Sequence, residues 1–158
     1  MDELKKKILK AQEAGDIAAL YVLEQEAYDT FDEETLGAYY TNILELALER
    51  LTDALESARK MKMDEVQDFA TLRALYEYAV EHYSAGQPSD AAALFEVLSG
   101  LSDDVRFSDA MTVHRAAALK SLTLDDFINS VADIDATQSA GTFYICAFKD
   151  EAQKLLVD

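Results

Sequence analysis

The chain has 158 residues, half of them apolar, with 31 acidic against 14 basic side chains and a formal charge of −17. A chain of that length can bury about 70 % of the surface its unfolded form exposes, so one sizeable core is expected and two independent domains would be crowded. The charge argues against nucleic acid and anionic membrane as partners, because both need a basic patch and the longest basic run is Lys5, Lys6 and Lys7. A single cysteine, Cys146, rules out an internal disulfide and a thiolate metal cluster.

One proline and five glycines leave few sites for the tight turns of a β fold, and good helix formers are abundant, so the expected class is all-α: helical hairpins stacked as a short solenoid or bundle. Met1-Asp2-Glu3-Leu4-Lys5 is not followed by an apolar stretch of signal-peptide length, and no run approaches a membrane span. A soluble, cytoplasmic protein is expected.

In chain order, Gly15-Asp16 interrupts the first helical pattern, whose Lys5, Lys6, Lys7 and Lys10 form a small basic face. Thr30-Phe31-Asp32-Glu33 reads as a capping box, with the threonine hydroxyl at the helix start. From Glu34 to Lys62 runs a segment that is one long helix or two with a break near Glu49 to Thr52; Ile43, Leu44, Ala47, Leu48, Leu51, Ala54, Leu55 and Ala58 gather on one of its faces. Asp64 is placed to cap a helix through Leu75 and Tyr83 that ends at Gly86. Pro88-Ser89-Asp90 opens another, ending near Gly100. Thr123-Leu124-Asp125-Asp126 caps a helix with Phe127, Ile128 and Val131 as apolar positions, and Phe143 to Val157 is predicted as the last helix. Segments 102–108 and 135–141 read as connectors. The expectation is one helical domain over 1–158, with N-terminal helices over 1–70, repeats over 71–134 and a C-terminal capping helix over 141–158.

Ala19, Ala54, Ala91 and Phe127 recur at steps of 35 to 37 residues, each early in a candidate second helix, as in a helical repeat. The stretch from Leu75 to Leu98 is sharper. Ala79 offers a small residue in its first helix, Gly86 the turn, Ala91 a small residue early in the second helix and Phe95 an aromatic one turn on, and this resembles a tetratricopeptide repeat. Leu98 stands where the repeat usually has another alanine.

Together with Arg106-Phe107, the stretch over about residues 72 to 107 resembles the first repeat of class II chaperones of type III secretion. Those proteins are acidic, cytoplasmic and all-helical, and they hold a secreted client as an extended segment in a concave groove. The resemblance implies a protein or peptide partner and places Tyr76, Val80 and Tyr83 along the groove-facing helix. It also implies a homodimer formed through N-terminal helices.

The eight tyrosines, densest at Tyr39-Tyr40 and at Tyr76, Tyr78 and Tyr83, suit partly exposed interfaces, and Tyr39, Tyr40, Tyr76, Val80 and Tyr83 are the expected partner-binding set. His82 and His114 have no Cys or His at ligand spacing, so no metal or other cofactor is expected. Cys146 lies in the apolar run Phe143 to Phe148, where a buried inert thiol is expected. The pairs Glu33-Glu34, Asp103-Asp104 and Asp125-Asp126 read as helix N-terminal charges and not as a carboxylate site. No catalytic residue is assigned. The expected function is a non-enzymatic protein-binding scaffold, chaperone or adaptor; the alternative is a self-contained helical bundle that homodimerises.

Overall fold

The apolar residues Leu4, Ile8 and Ala11 recur at helical spacing and are buried, which fixes the inner face of the first helix while its four lysines stay exposed. This helix opens a computed structural model that describes residues 2–156. The elements are α1 (Asp2–Ala14), α2 (Ile17–Val22), α3 (Glu24–Thr30), α4 (Glu33–Glu56), α5 (Val66–Ser84), α6 (Pro88–Leu101), α7 (Val105–Leu119) and α8 (Leu124–Asp126). A π-helical turn over Phe127–Val131 continues α8, and α9 (Ile134–Ala140) and α10 (Glu151–Leu156) follow. The protein is all-α, with no strand among the described residues; Ala132 and Phe148 form an isolated antiparallel bridge.

Where one domain is expected, the chain forms two compact units divided within α5, the first ending at Ala74 and the second beginning at Leu75. In the first, α1, α2 and α4 pack on one another around Leu4, Ile17, Leu20, Ile43 and Ala47. In the second, α6 and α7 form a closely packed pair, and α10 lies on α7.

Helix starts follow the chemistry of exposed amides, with two corrections to the residues expected. At α4 the cap is Asp32, whose carboxylate accepts from Thr35 N at 2.8 Å, and Thr30 is instead the last residue of α3. At α5 it is Glu65 that accepts from the amides of Gln67 and Asp68, at 3.1 and 2.9 Å, in place of Asp64. Thr123 caps α8 as expected, accepting from Asp126 N at 3.1 Å. At the end of α5, Gly86 adopts φ +79, the left-handed conformation a helix end needs.

Three segments fold otherwise than their composition predicts. The segment from Glu34 is one unbroken helix, but it stops at Glu56, short of Lys62. The two expected connectors are mostly helix: Asp104 caps α7 by accepting from Phe107 N at 2.8 Å, and Asp133 caps α9 by accepting from Ala136 N at 3.0 Å. Conversely, residues 142–150 of the expected last helix are not helical, and only α10 remains of it. Val157, its expected end, lies outside the described residues. The four-position period is not kept either, since Ala54 sits near the end of α4 and not early in a second helix.

The first unit is locked by one buried carboxylate. Asp68, 1 % exposed, accepts from Arg50 Nη2 at 2.8 Å, from Arg59 Nη1 at 3.0 Å and from the Lys62 backbone N at 3.0 Å, tying α5 to the end of α4 and to the loop between them. Burial alone raises its pKa, but the Lys62, Arg59 and Arg50 bonds outweigh that and hold the carboxyl below its ordinary 3.8. The stability it confers is therefore complete above about pH 4 and lost as pH falls through the lower native pKa. Replacing Asp68 by Ala removes the carboxylate that Arg50 and Arg59 share, leaving Arg50 only the longer contact to Glu65 at 3.6 Å, and is expected to cost about 3 kcal/mol. Urea unfolding followed by far-UV circular dichroism measures this, and an unchanged midpoint would refute the lock.

Candidate functional site

The run Phe143-Tyr144-Ile145-Cys146-Ala147-Phe148 is aromatic, β-branched and without helical period, so an extended backbone suits it better than a helix. Residues 142–150 form a strap against the second unit's helices. Its main chain is gripped by side chains: Ile145 N donates to the Tyr76 hydroxyl at 3.2 Å, and the Cys146 and Ala147 amides donate to Thr137 Oγ1 at 3.3 and 3.2 Å. Two backbone bonds complete the hold, Asp133 N to Ala147 O at 2.8 Å and Lys149 N to Val131 O at 2.7 Å. The π-helical turn, closed by Ala132 N to Phe127 O at 2.9 Å, leaves the Val131 carbonyl turned towards the strap.

The strap's rings dock on rings of the helices. Tyr144 meets Phe107 edge-on at 5.0 Å between centroids, Phe143 meets Tyr76 at 6.0 Å, and Phe148 meets His114 at 6.0 Å. Such edge-to-face contacts add about 1 kcal/mol each beyond area burial. Behind them Phe95, Phe107 and Phe127 are fully buried, and Ala79 and Ala91, each 0 % exposed, lie within α5 and α6.

The Tyr76 hydroxyl is also 2.8 Å from His114 Nε2, and His114 Nδ1 is 2.7 Å from the Ala110 carbonyl. A carbonyl only accepts, so Nδ1 carries the imidazole proton, Nε2 accepts from Tyr76 O–H, and the tyrosine oxygen takes the Ile145 N–H. Each polar group in this relay is satisfied with no charge. Burial pushes His114 down to about 4, against a smaller opposing effect of the Ala110 bond, and pushes the Tyr76 hydroxyl above its usual range.

Of the expected binding residues, Tyr76 and Tyr83 are 5 % and 3 % exposed, with Tyr83 donating to the Leu122 carbonyl at 2.8 Å. Both rings pack on Phe95, so with the strap in place neither residue lines an open groove: Tyr83 belongs to the core, and Tyr76 lies against the strap and meets it through its hydroxyl and ring. Val80 is half-buried and, with Glu77 and Thr137, lines a hollow of about 300 Å³ beside the strap. Tyr39 and Tyr40 belong to the first unit: Tyr39 is buried with its hydroxyl donating to the Leu20 carbonyl, and half-buried Tyr40 donates to Glu24 Oε2 at 2.8 Å. Both brace α4 against α2 and α3.

Cys146, expected to be buried, is half-exposed on the strap, with Arg106 Nη2 at 3.4 Å from Sγ. It borders a hollow of about 600 Å³ with Arg106, Asp109, Val113 and Leu156. Thr137 escapes sequence reasoning, since an isolated threonine in a polar stretch carries no signal; His114 is visible there only as a metal ligand that has no partners. Among the described residues no group of three or more His, Cys, Asp or Glu side chains is arranged to hold a metal ion, and no helix is long and apolar enough to cross a membrane. No protein-family model, curated protein or solved structure matches the chain.

The neutral histidine sets a pH dependence. The unfolded chain takes up its proton near pH 6.5 and the native fold only near 4, so the stability His114 confers is complete above pH 6.5 and declines as pH falls from there to about 4. The urea midpoint is expected to drop across that window. His114→Gln, which does not titrate, should flatten this part of the profile; an equally steep profile in the variant would count against the neutral assignment.

Proposed function

We propose that the chain is a non-catalytic, cytoplasmic helical scaffold that binds an extended or amphipathic segment of another protein, as a chaperone or adaptor does. The observation that carries this reading is the strap itself. A peptide-binding helical face needs side chains that take main-chain amides, together with pockets for alternate rings. Tyr76 and Thr137 supply the first, and Phe107, His114 and Phe127 supply the second. Buried Ala79, Ala91 and Phe95, Gly86 in the turn between α5 and α6, and the Tyr76 and Tyr83 rings against Phe95 support the tetratricopeptide-like reading. A secreted client is the partner which that resemblance implies.

A second reading has one observation in its favour. The unbroken 24 residues of α4 suit a self-contained bundle, and Leu55 near its end, 59 % exposed, gives a homodimer an apolar contact.

Affinity capture from the native cytosol with wild-type protein and with Val80→Asp separates the two. Val80 flanks the strap without filling the core, so the variant should keep its helicity and lose at least tenfold of a stoichiometric partner in quantitative mass spectrometry. Identical partners in both samples would sink the groove assignment, and recovery of the chain alone as a dimer by light scattering would establish the bundle instead.

A further inference from the structure

Resting on the peptide-binding reading, we infer that residues 142–150 are a displaceable stand-in for the true ligand. That ligand is an extended segment of another protein carrying two adjacent aromatic residues and a third aromatic four positions after the second. Three features of the second unit converge on this.

The grip does not depend on which chain is held. Tyr76 and Thr137 bind the amides of Ile145, Cys146 and Ala147, and every residue except proline has an amide to offer. What is particular to the strap is the spacing of its rings, Phe143-Tyr144 and Phe148, which dock on Tyr76, Phe107, His114 and Phe127. A foreign segment with the same spacing makes the same bonds and fills the same places.

The strap also underfills its seat. Only Tyr144 of residues 142–150 is buried; Phe143, Ile145, Ala147 and Phe148 are half-buried, and hollows of about 300 and 600 Å³ lie along it. A segment with larger side chains where the strap has Ile145 and Cys146 gains contacts that the strap lacks.

Finally, the strap is attached by weak ends. It begins after Gly141, an exposed glycine at φ +69 that ends α9 and has no side chain to anchor the chain there. It ends at α10, six residues long with Ala152 as its buried residue. Segments with few buried contacts open locally without unfolding the whole. A closed strap lowers the apparent affinity for any competitor by the fraction of molecules that are open.

The test uses the full chain and a fluorescent peptide, Thr-Phe-Tyr-Ile-Ser-Ala-Phe-Lys, which is the strap with serine for its cysteine. Tyr144→Ala weakens the strap and leaves the helices' side of the groove intact. By anisotropy this variant should bind the peptide at least tenfold more tightly than wild type, and a peptide with its three rings replaced by alanine should bind neither. Equal affinities would overturn the displaceable strap and leave the peptide groove standing. No binding to either protein would overturn the strap's role as a stand-in, and loss of the Val80-dependent partner as well would remove the groove reading with it. A dimer in light scattering would assign the groove to the strap of a second copy and overturn the foreign ligand.

Hydrogen exchange of the wild-type chain makes the outcome independent of how the variant folds. The amides of Ile145, Ala147 and Lys149 should exchange at least tenfold faster than those of Phe95 and His114. Exchange in step with these core amides would mean that the strap opens only on global unfolding, which overturns the proposal.

Discussion

Tyr76 sets one hydroxyl between a fully buried imidazole and an amide of the strap, and the second unit is organised around that position. The oxygen donates to His114 Nε2 and accepts from Ile145 N, while His114 Nδ1 donates to the Ala110 carbonyl. A buried polar group left without its partner costs about 1 to 3 kcal/mol; shifting α5 breaks both of the Tyr76 bonds, and shifting α7 or the strap breaks one of them. The rings of Phe95, Phe143 and Tyr144 stand within 6.3 Å of the Tyr76 ring and fix its orientation. Phenylalanine would pack there equally well and answer neither polar group.

The two units solve the burial of polar groups in opposite ways. The first buries a charge, Asp68, and surrounds it with two guanidinium groups and a backbone amide. The second buries a neutral network whose members share hydrogen bonds without ionising. A buried charge demands its partners in fixed places, since losing one leaves an uncompensated ion. A neutral hydroxyl or threonine oxygen is less demanding, because the bond it gives up is one that water can replace once the site opens. The charged lock ties helix α5 to α4 and its loop, and the neutral grip holds the main chain of the strap.

Much of the helical layout is legible in the sequence because it rests on short-range rules. Gly15-Asp16, Gly86, Pro88 and Thr123 mark helix ends for reasons of backbone angle and capping, and the acidic pairs at 33–34 and 125–126 lie in first turns, as dipole arguments require. Where two adjacent residues could each cap, as at Asp64 and Glu65, sequence does not choose, because the choice depends on the angle at which the chain enters. Helix α9 has no buried residue and so shows no apolar period. The strap passes for a helix in the sequence because its apolar run is covered on one side by rings that are distant along the chain, from Tyr76 to Phe127. Tyr39, Tyr76 and Tyr83 pass for binding residues for a related reason: an aromatic residue with a polar tip reads the same whether a partner or its own core receives it.

If the strap covers a peptide groove, as proposed, the surface charge bears on how that groove would stay usable. With a net −17 and Asp68 as the buried carboxylate among the described residues, nearly all the acidic groups face water, where mutual repulsion opposes association of one copy with another. An apolar groove on a nearly neutral surface invites its own kind. Here repulsion between copies works against that outcome, and the strap removes the most apolar part of the groove from solvent. A partner that brings its own rings in the right spacing meets neither obstacle in the same measure. Its rings replace the strap's one for one, and it need not carry this chain's charge. Selectivity then lies in ring spacing, and tolerance of sequence lies in the bonds to the main chain.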